Sequence, residues 1–285
     1  MTEVQNIRIG SIDPESTVNV RRTAVADNVG RVKRSIEEHG YWPDSPIVVR
    51  PHPDPSSEYG YEYVVGQCRL KASLELGLEE IPALVVDLTD DQAIQRSWLE
   101  NEARADLAMS DRTYWTERIY KKYAGAGYTG TEAFKLAADF LGVEIGTVLN
   151  YYGLAALPSD VMEMIDQNIL RRAEGNAIVK YTYDAQHFPR SQDAMRKRAQ
   201  WMSGLDRHRR AQYAKKALEE LGHKASIGEL DAWVQRMVDQ EARTIEVRVP
   251  EALYPALLEW GKQRGISDPA TILSHMLSAT LKRLR

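Results

Sequence analysis

The sequence predicts a multidomain α+β chain with three parts: an N-terminal α/β unit, an all-α middle containing a helix-turn-helix, and a short strand–helix–helix module. Three observations carry this. Short β-branched runs alternate with helical periods up to about residue 107. From residue 108 to about 240 only helical periods occur. Residues 244–250 then alternate again and lead into two amphipathic segments. At 285 residues the chain exceeds one typical domain, and 43% hydrophobic content supplies packed cores. No apolar run approaches the ~20 residues of a membrane span, so no membrane partner is expected. The first residues lack a charged start followed by an apolar stretch, so no signal peptide is read. Cys68 is the only cysteine, which excludes an internal disulfide framework and a cysteine-based zinc cluster and suits a reducing cytoplasm. A net charge of −4 argues against a generally basic coat but not against a local basic face.

Within the first part, Asn6, Ile7, Arg8 and Ile9 form a short strand. Residues 10–29 show no period and are left unassigned. A helical pattern over 31–39 carries Val32 and Ile36 on one face, with Gly40 as its C′ residue. Residues 47–50 read as a strand followed by the Pro-rich turn of Pro51 to Pro55, and residues 61–65 as another. Residues 67–76 form a helix that closes at Gly77, and residues 81–86 a further strand. Asp90 opens a helix running through Trp98, Glu100, Asn101 and Arg104.

Gly66-Gln67-Cys68-Arg69-Leu70-Lys71-Ala72 is the stretch with chemistry in it. A strand, a tight Gly turn and a helix start leave free backbone N–H groups where an anion sits, and Arg69 and Lys71 add positive charge. A lone Gly before a helix is also an ordinary structural turn. Glu100 and Arg104 likewise fit an i,i+4 salt bridge, whereas Glu100 with Asn101 supplies the oxygen donors magnesium takes beside phosphates.

The boxes Ser35-Ile36-Glu37-Glu38-His39-Gly40, Pro46-Ile47-Val48-Val49-Arg50-Pro51, Gly66-Gln67-Cys68-Arg69 and Glu100-Asn101-x-x-Arg104, in this order, resemble the N-terminal domain of ParB-type partition proteins. The resemblance implies a ParB/sulfiredoxin-like fold over residues 1–107 that binds CTP with Mg2+. Gly66, Gln67, Cys68 and Arg69 would cradle the triphosphate, Glu100 and Asn101 would hold the metal, and Arg104 would support the site. The family box is Gly-Glu-Arg-Arg. Gln67 and Cys68 replace a metal-side carboxylate and a phosphate-side guanidinium, which favours binding over hydrolysis and leaves CTPase activity open. The segment from Tyr41 to Ser45 is longer than the family's usual link.

Residues 108–240 read as the DNA-binding domain. Lys135 to Val148 fits a helix-turn-helix, with Ala138 at the crossing, Gly142 at the turn, and Ile145 and Val148 facing the core. Leu157-Pro158, Glu174-Gly175-Asn176-Ala177 and Ser226-Ile227-Gly228-Glu229-Leu230 extend the resemblance. The second helix offers Thr147, Asn150 and Tyr151 to base edges but carries no Lys or Arg. Phosphate anchoring falls to Arg190, Arg196, Lys197, Arg198, Arg207, Arg209, Arg210, Lys215 and Lys216, a cluster that equally fits a solvated helix face.

Residues 241–285 form a module similar to ribbon-helix-helix proteins. A strand with Ile245, Val247 and Val249 on one face precedes a helix over 251–264, striped by Leu253, Leu257, Leu258 and Trp260. Ser267 caps a second helix, with Pro269 in its first turn and Ile272, Leu273, Met276 and Leu277 inside. So small a module needs a second copy to close its core, which makes the chain a homodimer. A central Glu246 on the outward strand face disfavours DNA contact there.

The expectation is a dimeric, cytoplasmic, nucleoid- or plasmid-associated partition protein that binds a specific site on double-stranded DNA and closes as a CTP-gated clamp. A ParA-type ATPase is the implied partner, although no Lys or Arg precedes Ile7 to reach one. Two alternatives stay open. One is a transcriptional regulator that uses no nucleotide; the other is an enzyme of the sulfiredoxin or kinase type, prompted by Cys68 beside Arg69.

Overall fold

The computed structural model describes residues 3–22, 26–42, 44–103, 107–182, 191–242 and 249–283. They fall into two compact units, residues 1–230 and 231–285. The first unit opens with a five-stranded mixed sheet. Its strands are β1 (Val4–Arg8), β2 (Ile12–Asp13), β3 (Ile47–Pro51), β4 (Tyr61–Val65) and β5 (Glu80–Val85), in the spatial order β1-β5-β3-β4-β2. β3 runs parallel to β5 and antiparallel to β4, with a register shift between Val48 and Val49. Both central strands are buried along most of their length, which is why residues 47–49 and 63–65 read as continuous apolar runs.

Helix α1 (Ala26–His39) packs beside α2 (Gln67–Glu75) through Val29, Ile36 and Ala72. It begins before the expected residue 31, because its first turn carries polar residues that show no apolar period. Gly40 takes a positive φ of 76° and donates to the Ile36 carbonyl, as its C′ reading requires. Helix α3 (Asp90–Ala103) lays Ala93, Ile94 and Trp98 against the sheet.

A helical array follows: α4 (Met109–Gly125), α5 (Gly130–Leu141), α6 (Ile145–Leu154), α7 (Ser159–Asp166), α8 (Arg172–Thr182) and α9 (Gln192–Gly204). Next come α10 (Arg207–Arg209), a π-helical stretch over Arg210–Ala214, α11 (Lys215–Leu221) and α12 (Ile227–Ala242). Thr129 and Glu132 form a reciprocal capping box on α5. Gly142, at φ 65°, makes the turn into α6, and Val148 is fully buried. Ile145 departs from expectation. It stands in the first turn of α6 and is 36% exposed, whereas the core face of that helix runs through Val148, Tyr151 and Leu154.

In the second unit, α13 (Tyr254–Lys262) and α14 (Pro269–Arg283) cross where Gly261 meets Ile272. A Cβ on Gly261 would lie 2.1 Å from Ile272 Cδ1, so no larger residue fits without displacing the partner helix. Asp268, not Ser267, caps α14, accepting from the Thr271 N–H at 2.8 Å and from its hydroxyl.

The sheet and the first helices of the array, α4 to α6, share one core. Val18, Val20, Val48, Val64 and Trp98 pack in the same cluster as Trp115, Ile119, Leu141 and Val148. The strand-free residues 16–22 bind the two together. Arg50 and Glu62, nearly solvent-free on adjacent strands, form a pair with Nη2–Oε2 at 2.7 Å and Nε–Oε2 at 2.9 Å. The other Glu62 oxygen accepts the Thr17 N–H at 2.6 Å and its hydroxyl at 2.8 Å. From there the segment is tied at each step. Asn19 donates to the Val64 carbonyl at 2.8 Å, and the Val20 N–H to Ser97 Oγ at 3.0 Å. The Val20 carbonyl accepts Trp115 Nε1 at 2.9 Å, and the Arg22 N–H reaches Asp111 Oδ1 at 3.4 Å.

Burial pushes the Glu62 carboxyl up, but the Arg50 and Thr17 contacts outweigh it and hold the group below its ordinary value. Asp111 goes the other way. Burial raises it from 3.8 to about 6, against partial relief from Arg22.

Two stability experiments follow from these groups. Glu62→Ala leaves Arg50 with only the exposed Asp90 as a charge partner and releases Thr17, so urea unfolding should show a loss of up to about 3–5 kcal/mol. Between about pH 4 and pH 6 the native chain keeps on Asp111 a proton that the unfolded chain has released, so raising the pH costs stability. Asp111→Asn removes that slope. Relative to the variant, the wild type should lose about 2–3 kcal/mol between pH 4 and pH 7 in urea titrations.

Candidate functional site

A polar cleft of about 440 Å³ opens at the start of α2, between α1, α3 and residues 19–21. Gly66 makes it. With φ at 108° it adopts a conformation side chains avoid, and a Cβ there would lie 2.5 Å from Ile47 Cγ2. The turn therefore brings β4 against β3 and launches α2 with no side chain capping its first N–H groups. The dipole and those donors face an anion-sized space.

Of the expected nucleotide-site residues, Gly66, Gln67, Cys68, Arg69, Glu100 and Asn101 all line this cleft, although Arg69 and Glu100 stand 31 positions apart in sequence. Arg104 lies outside the described residues. Arg69 is already engaged. Its Nη1 donates to the Ser45 and Pro46 carbonyls, the latter at 2.8 Å, and to Ser45 Oγ at 3.2 Å. The guanidinium thus pins the link before β3. The nearby Tyr41 phenol is raised by burial and partly relieved by Arg69.

Asn101 is buried and donates to the Ser97 carbonyl at 2.8 Å. Gln67 is 7% exposed; its Nε2 donates to the Tyr63 hydroxyl at 3.3 Å, while its Oε1 has no hydrogen-bond partner.

Sequence reading missed part of the lining. Asn19, Arg21, Asn28, Arg31 and Ser35 also face the cleft. The pair Arg21-Arg22 in an aperiodic stretch was the available signal. Among the described residues the lining carries Arg21, Arg31 and Arg69 against the carboxylate of Glu100, a balance suited to a polyanion. No group of three His, Cys, Asp or Glu among the described residues could hold a metal by itself. Glu100 and Asn101 nevertheless fit magnesium, which takes one or two protein oxygens and completes its shell with phosphates and water.

The expected DNA contacts divide sharply. Asn150 is exposed and Thr147 half-buried on α6, beside a groove shared with Glu144 and Arg172. Tyr151 is only 4% exposed and packs in the core, with Arg112 and Arg172 over its ring, so it is not available to a base edge. Arg198 is a structural residue. It is 3% exposed and donates to the Tyr181, Gly222 and His223 carbonyls, joining α8 and α9 to the loop after α11.

Arg196 pairs with Asp160 at 2.9 Å, Lys197 with Asp193 at 2.8 Å and Arg209 with Asp206 at 3.1 Å, which weakens the field this cluster can present. Arg207 is exposed. The Arg210 side chain and Arg190 lie outside the described residues.

Of the expected dimer residues, Ile245 and Val247 lie outside the described residues, and Val249 and Leu273 are half-buried. Leu257 and Ile272 are buried within their own unit. Met276, expected inside, is 36% exposed, and Leu253 and Leu258, expected on the inner stripe, are 58% and 39% exposed. The two helices use Gly261 and Ile272 for their contact, which turns those side chains outward.

The sequence profile of the ParB N-terminal domain matches residues 1–102. The chromosome-partitioning protein Spo0J of Thermus thermophilus is 31% identical over 176 residues, covering 62% of this chain and 60% of that protein. Two structures of C-terminally truncated ParB from Caulobacter crescentus are similar. The one complexed with CTP-gamma-S is 26% identical, with TM-score 0.32, covering 62% of this chain and 92% of that one. The one complexed to the centromeric parS site is 23% identical, with TM-score 0.46, covering 78% and 100%. The chain spans about 40–60% of the length of the curated relatives it matches. No described helix is long and apolar enough to cross a membrane. Residues 1–102 match the ParB N-terminal domain, and the chain is similar to the chromosome-partitioning ParB and Spo0J proteins.

Proposed function

We propose that this chain is a nucleotide-responsive DNA-binding protein of the partition type, which holds CTP and Mg2+ in the cleft at Gly66. The observation that supports it most is the cleft itself. An open helix start, three arginines and the Glu100–Asn101 oxygens converge on one space large enough for a nucleotide. The α2 N–H groups and Arg69 take the phosphates, while Glu100 and Asn101 offer oxygens to the metal, which neutralises phosphate charge when bound. CTP in particular is what the family resemblance implies.

Hydrolysis is slow or absent in this reading. Gln67 replaces the family's acidic residue and cannot serve as a base or a charged metal ligand, and Cys68 removes a phosphate-side cation. Arg69 serves in two roles. Phosphates compete for the guanidinium that now pins Ser45 and Pro46, so occupancy of the cleft loosens the link before β3.

The helices α5 and α6 act as the DNA-reading helix-turn-helix, with Asn150 and Thr147 toward base edges. Ile145 and Leu149, both exposed on α6, are placed for apolar contact with thymine methyl groups. Arg172 and Arg207 anchor phosphates, in place of Arg198. The second unit joins two chains, with Leu253, Leu258 and Met276 as the contact. Residues 16–22 carry the cleft's state to α4, because Arg21 lines the cleft while Val20 and Arg22 are bonded to Trp115 and Asp111. A nucleoid or plasmid location and a ParA-type partner come from the resemblance alone.

Calorimetric titration of the full chain with CTP and magnesium tests this reading. Binding should be measurable, should strengthen in the presence of cognate DNA, and should weaken about ten- to a hundredfold in Arg69→Ala, the loss of one charged phosphate contact. An absence of CTP binding, or an unaffected Arg69→Ala, would overturn it.

A further inference from the structure

We propose that α3 belongs to the DNA-reading apparatus, with Gln95 and Leu99 as positioning residues that set the angle at which α6 is presented. The proposal rests on the reading of α5 and α6 as the DNA-reading pair, and it needs no nucleotide. Gln95, Leu99 and Glu102 recur at i, i+4 and i+7, so they share one face of α3. That face meets the helix-turn-helix at three points.

The first is a helix end. The last carbonyls of α5 need partners from outside the helix. Ala138 and Asp139 find theirs at the turn, where the Val143 N–H donates to Ala138 at 3.1 Å and the Gly142 N–H to Asp139 at 3.3 Å. The Phe140 carbonyl instead accepts from Gln95 Nε2 at 2.9 Å, a side chain 45 positions away. The second is the turn itself. A Cβ on Gly142 would lie 3.4 Å from Leu99 Cδ2, so the Leu99 methyl stands directly against the turn. Leu99 is 49% exposed, so truncating it removes this contact at small cost to the core.

The third point is α6. Glu102 Oε2 accepts from Arg112 Nε at 3.0 Å and Nη2 at 2.9 Å, and the Arg112 guanidinium lies 6.0 Å from the centre of the buried Tyr151 ring. One helix thus holds the turn ahead of α6 and, through Arg112, the buried face of α6. Phosphate contacts normally fix the register of a reading helix, and α6 has no Lys or Arg to make them. The placement of Thr147 and Asn150 therefore falls to these protein contacts.

The test compares the affinity of the full chain for a duplex selected by the wild type from a random-sequence library with that for a scrambled duplex of the same length. Gln95→Glu keeps the side chain's size, loses its donor and sets a carboxylate against the Phe140 carbonyl. It should lower the ratio of the two affinities about tenfold, the effect of losing one base contact. Leu99→Ala should lower the ratio in the same way while leaving the scrambled duplex bound as before. Leu99→Met, which keeps an apolar group over the turn, should retain the wild-type ratio. Without DNA, amide exchange at residues 142–147 should be faster in Gln95→Glu and Leu99→Ala. An unchanged ratio in both variants, an equal loss on both duplexes in Leu99→Ala, or exchange at 142–147 equal to the wild type would overturn the proposal. Should Gln95→Glu fail to fold, the two Leu99 variants decide. If the wild type selects no duplex, the DNA-reading assignment fails by itself, and amide exchange still decides whether α3 sets the turn.

Discussion

The Arg50–Glu62 pair is the constraint on which the rest of the first unit depends. Two opposite charges buried on adjacent strands are tolerable only when every oxygen and N–H finds a partner. Here the spare oxygen of Glu62 is satisfied by Thr17, and the remaining Arg50 donors by the Leu88 carbonyl and Asp90. Those contacts fix the path of residues 16–22 on one side and the start of α3 on the other. Because α3 carries Glu100 and Asn101, and the segment carries Asn19 and Arg21, one buried pair positions both walls of the cleft. The arrangement is costly to desolvate, yet it locates an otherwise irregular chain without a strand or helix to hold it.

The fold was legible where one periodicity ruled. The strands around Val48 and Val64, the helix after Gly66 and the turn at Gly142 all stand where apolar spacing and glycine chemistry place them. Residues 10–29 were not legible, because their order comes from side chains 45 to 95 positions away, such as Glu62, Ser97 and Trp115. The cleft residues were half-readable for the same reason. Gly66 to Arg69 and Glu100-Asn101 form local motifs, whereas Asn19, Arg21 and Arg31 join them only through the tertiary fold. Among the DNA residues, Tyr151 and Arg198 show where residue type misleads. An aromatic ring and a guanidinium suit nucleic acid, but here one fills the core and the other collects helix-end carbonyls.

The departures at Gln67 and Cys68 change the character of the cleft rather than its shape. Gly66 still forces the turn, Arg69 still stands at the helix start, and Glu100 and Asn101 still face it. In the proposed nucleotide reading, one negative and one positive group are missing beside the phosphates. That reading moves the balance from turnover toward occupancy and has occupancy act on two connected elements: the Ser45–Pro46 link held by Arg69, and residues 16–22 leading to α4. In that account the nucleotide is a ligand that sets conformation, and its removal need not pass through chemistry.

A nucleotide held in the cleft would act on α4 through residues 16–22, which line the one and bond to the other. Hydrogen exchange by mass spectrometry, with and without CTP and magnesium, tests it most directly. The account predicts slowed exchange at residues 66–70, altered exchange at 16–22, and a change reaching the first turns of α4 around Asp111 and Trp115. Protection confined to residues 66–70, with α4 unchanged at saturating CTP, would contradict it.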